Sequence, residues 1–119
     1  MQGYYVLENQ PKINKLLEEV KIKSNKLLGS KLKKIVLFGS YARGEEGVDS
    51  DVDIMLLIDE DPEQINKYSD SILDIMTDLS IKHDVVLSIF ELSIKEYNEY
   101  KEFVPFYETV YNEGVAIYG

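Results

Sequence analysis

The sequence contains no cysteine. It therefore has no disulfide framework, no thiolate chemistry and no cysteine-based metal site. Its 119 residues also include no apolar run near the roughly 20 residues that a bilayer-spanning helix needs. The first ten residues lack the basic segment followed by an apolar stretch that marks a signal peptide. We therefore expect an intracellular, cytoplasmic protein that does not associate with membranes.

Positive charge is also scarce, since 13 lysines and arginines face 22 acidic residues and the formal net charge is −9. An acidic surface repels a phosphate backbone, so we expect no direct binding of nucleic acid. It favours a macromolecular partner with a basic surface, although acidity alone also serves solubility. The hydrophobic content of 45% and the charged content of 29% are typical of a folded globular chain. The length fits a single domain over residues 1–119.

Hydrophobic periodicity divides the chain into alternating helices and strands. Helices are predicted over residues 12–28, 61–81 and 93–113, the last with a break at Pro105, and strands over residues 33–38, 51–58, 84–90 and 115–118. The strand–helix–strand order after residue 51 implies a right-handed crossover and parallel pairing of the second and third strands. The first strand runs antiparallel to the second if a simple reversal joins them. The predicted fold class is therefore α/β (α+β), a small mixed sheet with helices packed on it.

Several polar residues are expected to meet at one edge of this sheet. Asp51 and Asp53 project to the same side of their strand, because side chains alternate along a strand. If the second and third strands are parallel, Asp84 begins its strand beside them. Gly39 and Ser40 end the first strand and reach the same edge. Such an edge suits the binding of a metal-loaded phosphate.

Two familiar loops are excluded in this region. Gly39 and Gly44 have the spacing of a P-loop, but Glu45 stands where the loop needs a lysine and would repel a phosphate. The acidic residues between positions 49 and 60 have the spacing of a calcium loop, but Ile54 occupies the position that needs glycine.

The remaining pattern is G-S, ten intervening residues and D-x-D, and it resembles the nucleotidyltransferase superfamily of the DNA polymerase β type. The segment G-S-Y-A-R-G-E, from Gly39 to Glu45, is similar to the minimal nucleotidyltransferases, or MNT proteins, which often act as antitoxins to HEPN-domain ribonuclease toxins. The resemblance covers residues 30–90 and, less specifically, the stretch from Glu113 to Val115. It implies a polymerase β-like nucleotidyltransferase fold, ATP as the nucleotide donor and transfer of AMP to a hydroxyl of a HEPN toxin, expected on a tyrosine.

The resemblance also implies roles for the three aspartates. Asp51 and Asp53 would each contact Mg²⁺, bridging if two ions bind, because magnesium prefers oxygen ligands and takes the remainder from water and substrate phosphates. Asp84 would complete the metal site nearest the acceptor and accept its proton. Three crowded carboxylates repel one another and raise their pKa values in the absence of metal, so their presence argues for bound cations.

The same resemblance assigns the nucleotide's phosphates to the glycine-bearing turn. Gly39 lets the backbone approach the β- and γ-phosphates, and Ser40 offers a hydroxyl and an N–H group. Arg43 has two open interpretations: it pairs with the triphosphate, or it pairs with a nearby acidic residue such as Glu45 or Glu46.

Two further classes of function stay open at this stage. The protein could neutralise a basic toxin by binding and occlusion alone, with a vestigial nucleotide site. It could also modify a small molecule, although the chain lacks a second domain to form that substrate's site. The aromatic stripe between Tyr97 and Tyr111 is first of all core, and its many tyrosines also suit an interface with a partner or a second copy. His83, beside Asp84, is more typical of a packing or surface residue than of a catalyst.

Overall fold

The computed structural model describes residues 7, 10–45, 47 and 51–119. Within these ranges the chain forms five α-helices and four β-strands, which alternate except that α5 follows α4. The helices are α1 (Pro11–Leu28), α2 (Ser40–Arg43), α3 (Ser69–His83), α4 (Ile94–Tyr100) and α5 (Pro105–Glu113), and the strands are β1 (Leu32–Phe38), β2 (Val52–Ile58), β3 (Leu87–Ser93) and β4 (Val115–Tyr118). Two 3₁₀ segments, Gly29–Lys31 and Pro62–Tyr68, precede β1 and α3.

The four strands form one mixed sheet in the order β3-β2-β1-β4. β1 runs antiparallel to β2 and β4, whereas β2 and β3 are parallel, with Val52 opposite Leu87. The predicted fold class and both predicted strand pairings around β2 are therefore confirmed. The parallel pair requires a crossover, and α3 supplies it.

The sheet is covered on both faces, which explains why β1 and β2 carry consecutive apolar residues. The side chains of β2 from Ile54 to Ile58 are at most 1% exposed. Alternate residues of each strand enter different cores, one built with α1 and α3 and the other with α4 and α5. Each fully buried aliphatic side chain contributes about 1.5–3 kcal/mol of transfer free energy. This burial fixes the register of β1 against β2, and with it the place of the residues at the ends of both strands.

Two predicted elements have wrong boundaries, and β3 is wrong at both ends, since it also stops at Ser93 instead of Phe90. β3 begins at Leu87 instead of Asp84, because Asp84 has a left-handed backbone (φ 51°, ψ 53°) and ends α3 as its C-cap. Its N–H bonds back to the carbonyls of Ser80 and Ile81, so it cannot join the ladder. The predicted helix over residues 61–81 is a 3₁₀ segment from Pro62 to Tyr68 before α3 begins.

Other boundaries agree with the prediction. α1 covers the predicted first helix, with Pro11 at its first position. The break expected at Pro105 separates α4 from α5. None of the helices within the ranges given above is long and apolar enough to cross a bilayer.

Candidate active site

The end of β1 and the start of β2 meet at one edge of the sheet. Phe38 lies opposite Asp53 in the antiparallel register, and Gly39 follows Phe38 directly. Gly39 has φ 78°, a conformation that favours glycine, and a Cβ atom there would overlap the Oδ2 atom of Asp53. The structure therefore brings Gly39 and Asp53 into van der Waals contact, and this approach depends on the missing side chain.

α2 forms a single compact turn after Gly39. The N–H of Arg43 donates to the carbonyl of Gly39 (3.2 Å), and the N–H of Glu45 donates to the carbonyl of Ser40 (2.9 Å). Gly44 ends the turn with a left-handed backbone (φ 71°). Ser40 is thus the first residue of the turn, beside the contact between Gly39 and Asp53.

Asp51, directly before β2, and Asp53, within it, have different environments. Asp51 is exposed at the strand end, whereas Asp53 is partly buried one pleat further in. Burial raises the pKa of Asp53 above its usual range, the charge of Asp51 raises this pKa further, and the charge of Arg43 opposes both. A partly buried carboxylate repelled by its neighbour is stabilised by a cation. Two carboxylates provide oxygen ligands for Mg²⁺, which accepts water and substrate phosphates at its other positions.

Arg43 contacts two carboxylates from different parts of the chain. Its Nε donates to Oε1 of Glu45 (2.9 Å), and its Nη1 donates to Oε1 of Glu113 at the end of α5 (3.0 Å). Both bonds raise the pKa of Arg43, and the bond to Glu45 raises it more than the bond to Glu113 does. The bond to Glu45 agrees with the interpretation that Arg43 pairs with an acidic loop residue. Glu46, the other residue considered, lies outside the described residues.

Glu113 was not predicted as part of this site. It is 70 residues from Arg43 in the sequence. The stretch beginning with Glu113 is connected by sequence only with the final segment of the family's sequences. Periodicity places Glu113 at a helix end. Periodicity does not predict a contact between Glu113 and a residue 70 positions earlier in the sequence.

Asp84 does not complete a cluster of three carboxylates. Among the residues that the structure describes, no group of three acidic or histidine side chains is placed to hold a metal ion. Asp84 is exposed in the left-handed turn after α3, and its backbone carbonyl accepts a bond from Lys12 Nζ (3.2 Å). The expected placement at the start of β3 fails because this turn adds residues between Asp84 and the first ladder pair. The metal and proton-accepting roles of Asp84 stay predictions.

His83 has a structural partner. Its Nε2 atom contacts the carboxylate of Glu19 on α1, and Lys82 Nζ bonds the other oxygen of the same carboxylate (2.6 Å). These contacts join the end of α3 to α1. They support a packing role for His83.

Three phenylalanines border the candidate site, and their spacing in the sequence does not predict that they meet. The ring centroids of Phe38, Phe90 and Phe106 lie 5.6–5.9 Å apart in tilted and edge-to-face pairs. Phe38 is buried, whereas Phe90 and Phe106 are 42% and 41% exposed. The cluster covers the sheet face from which Asp53 projects, since Phe38 is its cross-strand partner.

Comparison with known proteins places this geometry in context. The sequence model of the family described as nucleotidyltransferase domain matches residues 13–116. A protein adenylyltransferase of Methanocaldococcus jannaschii is 34% identical over 107 residues, which cover 88% of this chain and 98% of the relative. The protein adenylyltransferase MntA of Thermococcus cleftensis is 33% identical over 70 residues, covering 55% of this chain and 71% of that protein.

Solved structures share the fold at lower identity. A toxin–antitoxin structure of MntA with HpeT has a TM-score of 0.55 at 22% identity and covers 85% of this chain and 73% of that chain. A complex of a tri-AMPylated Shewanella oneidensis HEPN toxin with an MNT antitoxin has a TM-score of 0.52 at 20% identity, covering 92% and 71%. The expected polymerase β-like nucleotidyltransferase fold and the resemblance stated from the G-S and D-x-D pattern are both confirmed.

Proposed function

Because the chain belongs to the nucleotidyltransferase domain family, we propose that it is a magnesium-dependent protein adenylyltransferase that transfers AMP from ATP to a hydroxyl of a partner protein. The similarity to adenylyltransferases over nearly the whole chain supports the reaction type. The observation that carries the proposal is the contact between Gly39 and Asp53, which joins a glycine turn to a carboxylate pair at an open sheet edge.

The partner we propose is a HEPN-type toxin with a basic surface, modified on a tyrosine and thereby neutralised. An MNT antitoxin of the same fold occurs in a complex with an AMPylated HEPN toxin, which supports this choice. The acidity of the present chain favours a basic partner. An added AMP brings negative charge to the toxin and would oppose its binding of RNA. The reaction is assigned to the cytoplasm and to a hetero-oligomer of the two proteins.

In the proposed reaction a bond forms between the acceptor oxygen and the α-phosphorus of ATP. The bond between that phosphorus and the bridging oxygen breaks, pyrophosphate leaves with its electron pair, and the acceptor hydroxyl gives its proton to solvent water. Gly39 and Ser40 bind and orient the leaving phosphates through backbone N–H groups and the serine hydroxyl. Asp51 and Asp53 would hold Mg²⁺, as one ion or two, which offsets the charge that develops on the phosphates.

The Asp51→Asn, Asp53→Asn double variant tests this assignment. We expect it to lose AMP transfer to the product of the neighbouring gene by at least 100-fold, because no carboxylate pair remains at the edge. Mass spectrometry of that protein after incubation with magnesium and each nucleoside triphosphate measures the gain of one AMP. The matched control is Asp74→Asn, Asp78→Asn, which makes the same charge change on the exposed face of α3.

Occlusion without catalysis makes the opposite prediction. If the double variant protects cells from the toxin as well as the wild-type protein does, catalysis is not how this protein neutralises it. Absence of any mass gain with all four nucleotides and the wild-type protein would also reject the proposed reaction for this partner.

A further inference from the structure

The helices α4 and α5 keep only some of their aromatic side chains for the core. Tyr97 is buried with Val110, and the hydroxyl of Tyr107 donates to Glu96. Phe103 is 76% exposed and Phe106 is 41% exposed. At this exposure Phe103 gains little of the transfer free energy that burial of its ring would provide. Exposed apolar side chains mark interaction sites when they form a patch.

Phe106 forms a partly exposed aromatic pair with Phe90 of β3. Phe106 contacts Phe90 (5.7 Å between centroids), and Phe103 precedes Phe106 by three residues at the turn between the helices. We call Phe90, Phe103 and Phe106 the aromatic surface. Tyr111 is a separate case, since the ammonium of Lys101 lies 4.3 Å from its ring centroid.

Phe90 and Phe106 of the aromatic surface reach the candidate active site through Phe38. Phe106 packs edge-to-face on Phe38 (5.6 Å), and Phe38 lies opposite Asp53 and directly before Gly39. A protein that offers a hydroxyl at Asp53 therefore passes over the aromatic surface. This continuity distinguishes it from the other exposed apolar side chains, such as Ile22 and Ile81, which belong to helices on the opposite sheet face.

The charges around the aromatic surface select the kind of partner. Residues 94–113 contain five glutamates and two lysines. Lys95 is paired with Asp61 (3.1 Å), and Lys101 is engaged with Tyr111. Apolar anchors within an acidic surrounding complement a protein that carries exposed apolar groups among basic residues, and they repel RNA.

We propose that the aromatic surface is the docking site of the basic acceptor protein and that Phe103 is its main apolar anchor. This inference rests on the proposed function, because the acceptor protein is defined by that reaction. Transfer to one hydroxyl of a folded protein needs binding energy beyond the reacting atoms, and a few buried aromatic residues usually supply most of it. Phe106 and Phe90 continue this surface to Phe38, the cross-strand partner of Asp53.

The test compares Phe103→Ser with Ile81→Ser, which removes an equally exposed side chain (75%) from α3 on the other face. The probe is the purified product of the neighbouring gene, and its binding is measured by biolayer interferometry without nucleotide. We expect Phe103→Ser to weaken binding at least tenfold, and Phe106→Ser to do the same. Phe103→Ser should not change the affinity for magnesium-ATP by calorimetry, and Ile81→Ser should change nothing.

The outcomes separate this inference from the proposed reaction. Binding that depends on Phe103, without AMP transfer by the wild-type protein, supports the surface and rejects the reaction. AMP transfer with binding that is unchanged in both phenylalanine variants rejects the surface alone. Equal losses in Phe103→Ser and Ile81→Ser also overturn it, as does a wild-type protein that does not bind the probe.

Discussion

Residue 39 determines how closely the turn after β1 approaches the carboxylate of Asp53. The residue at this position must adopt a positive φ, and it must lack a Cβ atom because Asp53 occupies that space. Only glycine satisfies both requirements. At Gly44, five residues later, only the positive φ favours glycine, because nothing lies within 4 Å of a Cβ built there. The two glycines therefore separate backbone strain from steric contact with the site.

We predict that Gly39→Ala weakens the binding of magnesium-ATP at least tenfold, because the added methyl group displaces Asp53 or the turn. It should also lower the free energy of unfolding by about 1–3 kcal/mol. Calorimetry and urea denaturation measure the two effects. Gly44→Ala is the matched control and should cost only about 1 kcal/mol of stability. A comparable loss of nucleotide affinity in Gly44→Ala would contradict this account.

A pH dependence is expected from Tyr107. Burial raises its pKa to about 12, with a further contribution from its hydrogen bond to Glu96. A raised pKa means that the folded protein holds this proton more tightly than the unfolded chain. The resulting stability is fully present below the ordinary tyrosine pKa of 10.0 and is lost as the pH rises through the folded value.

The corresponding variant is Tyr107→Phe, which removes the titrating hydroxyl. We predict that its stability falls less steeply than that of the wild-type protein between pH 10 and pH 12. Urea denaturation across this window measures the difference in slope. Tyr111→Phe, which removes an exposed hydroxyl on the same helix, is the control. Parallel slopes for Tyr107→Phe and the wild-type protein would show that Tyr107 titrates alike in both states.

At the scale of elements, Arg43 joins α2 to the end of α5. Gly114 packs against Val36 of β1, where any Cβ would overlap the valine side chain, and this contact fixes the position of the preceding Glu113. The guanidinium is therefore shared between two carboxylates while its charge still acts on Asp53. A triphosphate would compete with both carboxylates for it.

We predict that Glu113→Gln tightens the binding of magnesium-ATP several-fold, because Arg43 loses one competing carboxylate and the site loses a negative charge. The cost in stability should stay below about 1 kcal/mol, since the ion pair is partly exposed. Glu108→Gln on the same helix makes the same charge change away from Arg43. If both variants leave the affinity unchanged, Arg43 holds α2 to α5 and does not bind the triphosphate.

The sequence predicts some elements of this structure but not the contacts between distant ones. The apolar periodicity of β1, β2 and α1 predicts these elements because their burial decides their conformation. The start of β3 was misplaced because Asp84, Val85 and Val86 have the composition of a strand, whereas a left-handed C-cap at Asp84 depends on where α3 stops. The pair Asp51 and Asp53 and the turn at Gly39 were predicted from spacing. The contacts of Arg43 with Glu113 and of Phe106 with Phe38 depend on tertiary packing, which local spacing does not encode.

At the scale of the whole molecule, the net charge of −9 opposes folding through self-repulsion and assists association with a basic partner. We predict that raising sodium chloride to roughly 0.5 M increases the melting temperature, because the Debye length becomes shorter than the spacing of surface charges. The same salt should slow association with the basic partner. Thermal melting and biolayer interferometry measure the two effects. The less acidic variant Asp74→Lys, Asp78→Lys should respond less in both, and a melting temperature that falls with salt would contradict the prediction.

The antiparallel pairing of β1 with β4 has a consequence for the protein while it is being made. β1, β2 and β3 are complete by Ser93, but the second edge of β1 has no partner until Val115–Tyr118 have been synthesised. During that interval a nascent chain presents an unpaired, strongly apolar strand edge, which is a template for pairing with other chains. Translation that pauses or stops between these two points should therefore produce aggregates, and a synthetic peptide of the β4 sequence should reduce them by occupying the open edge of β1.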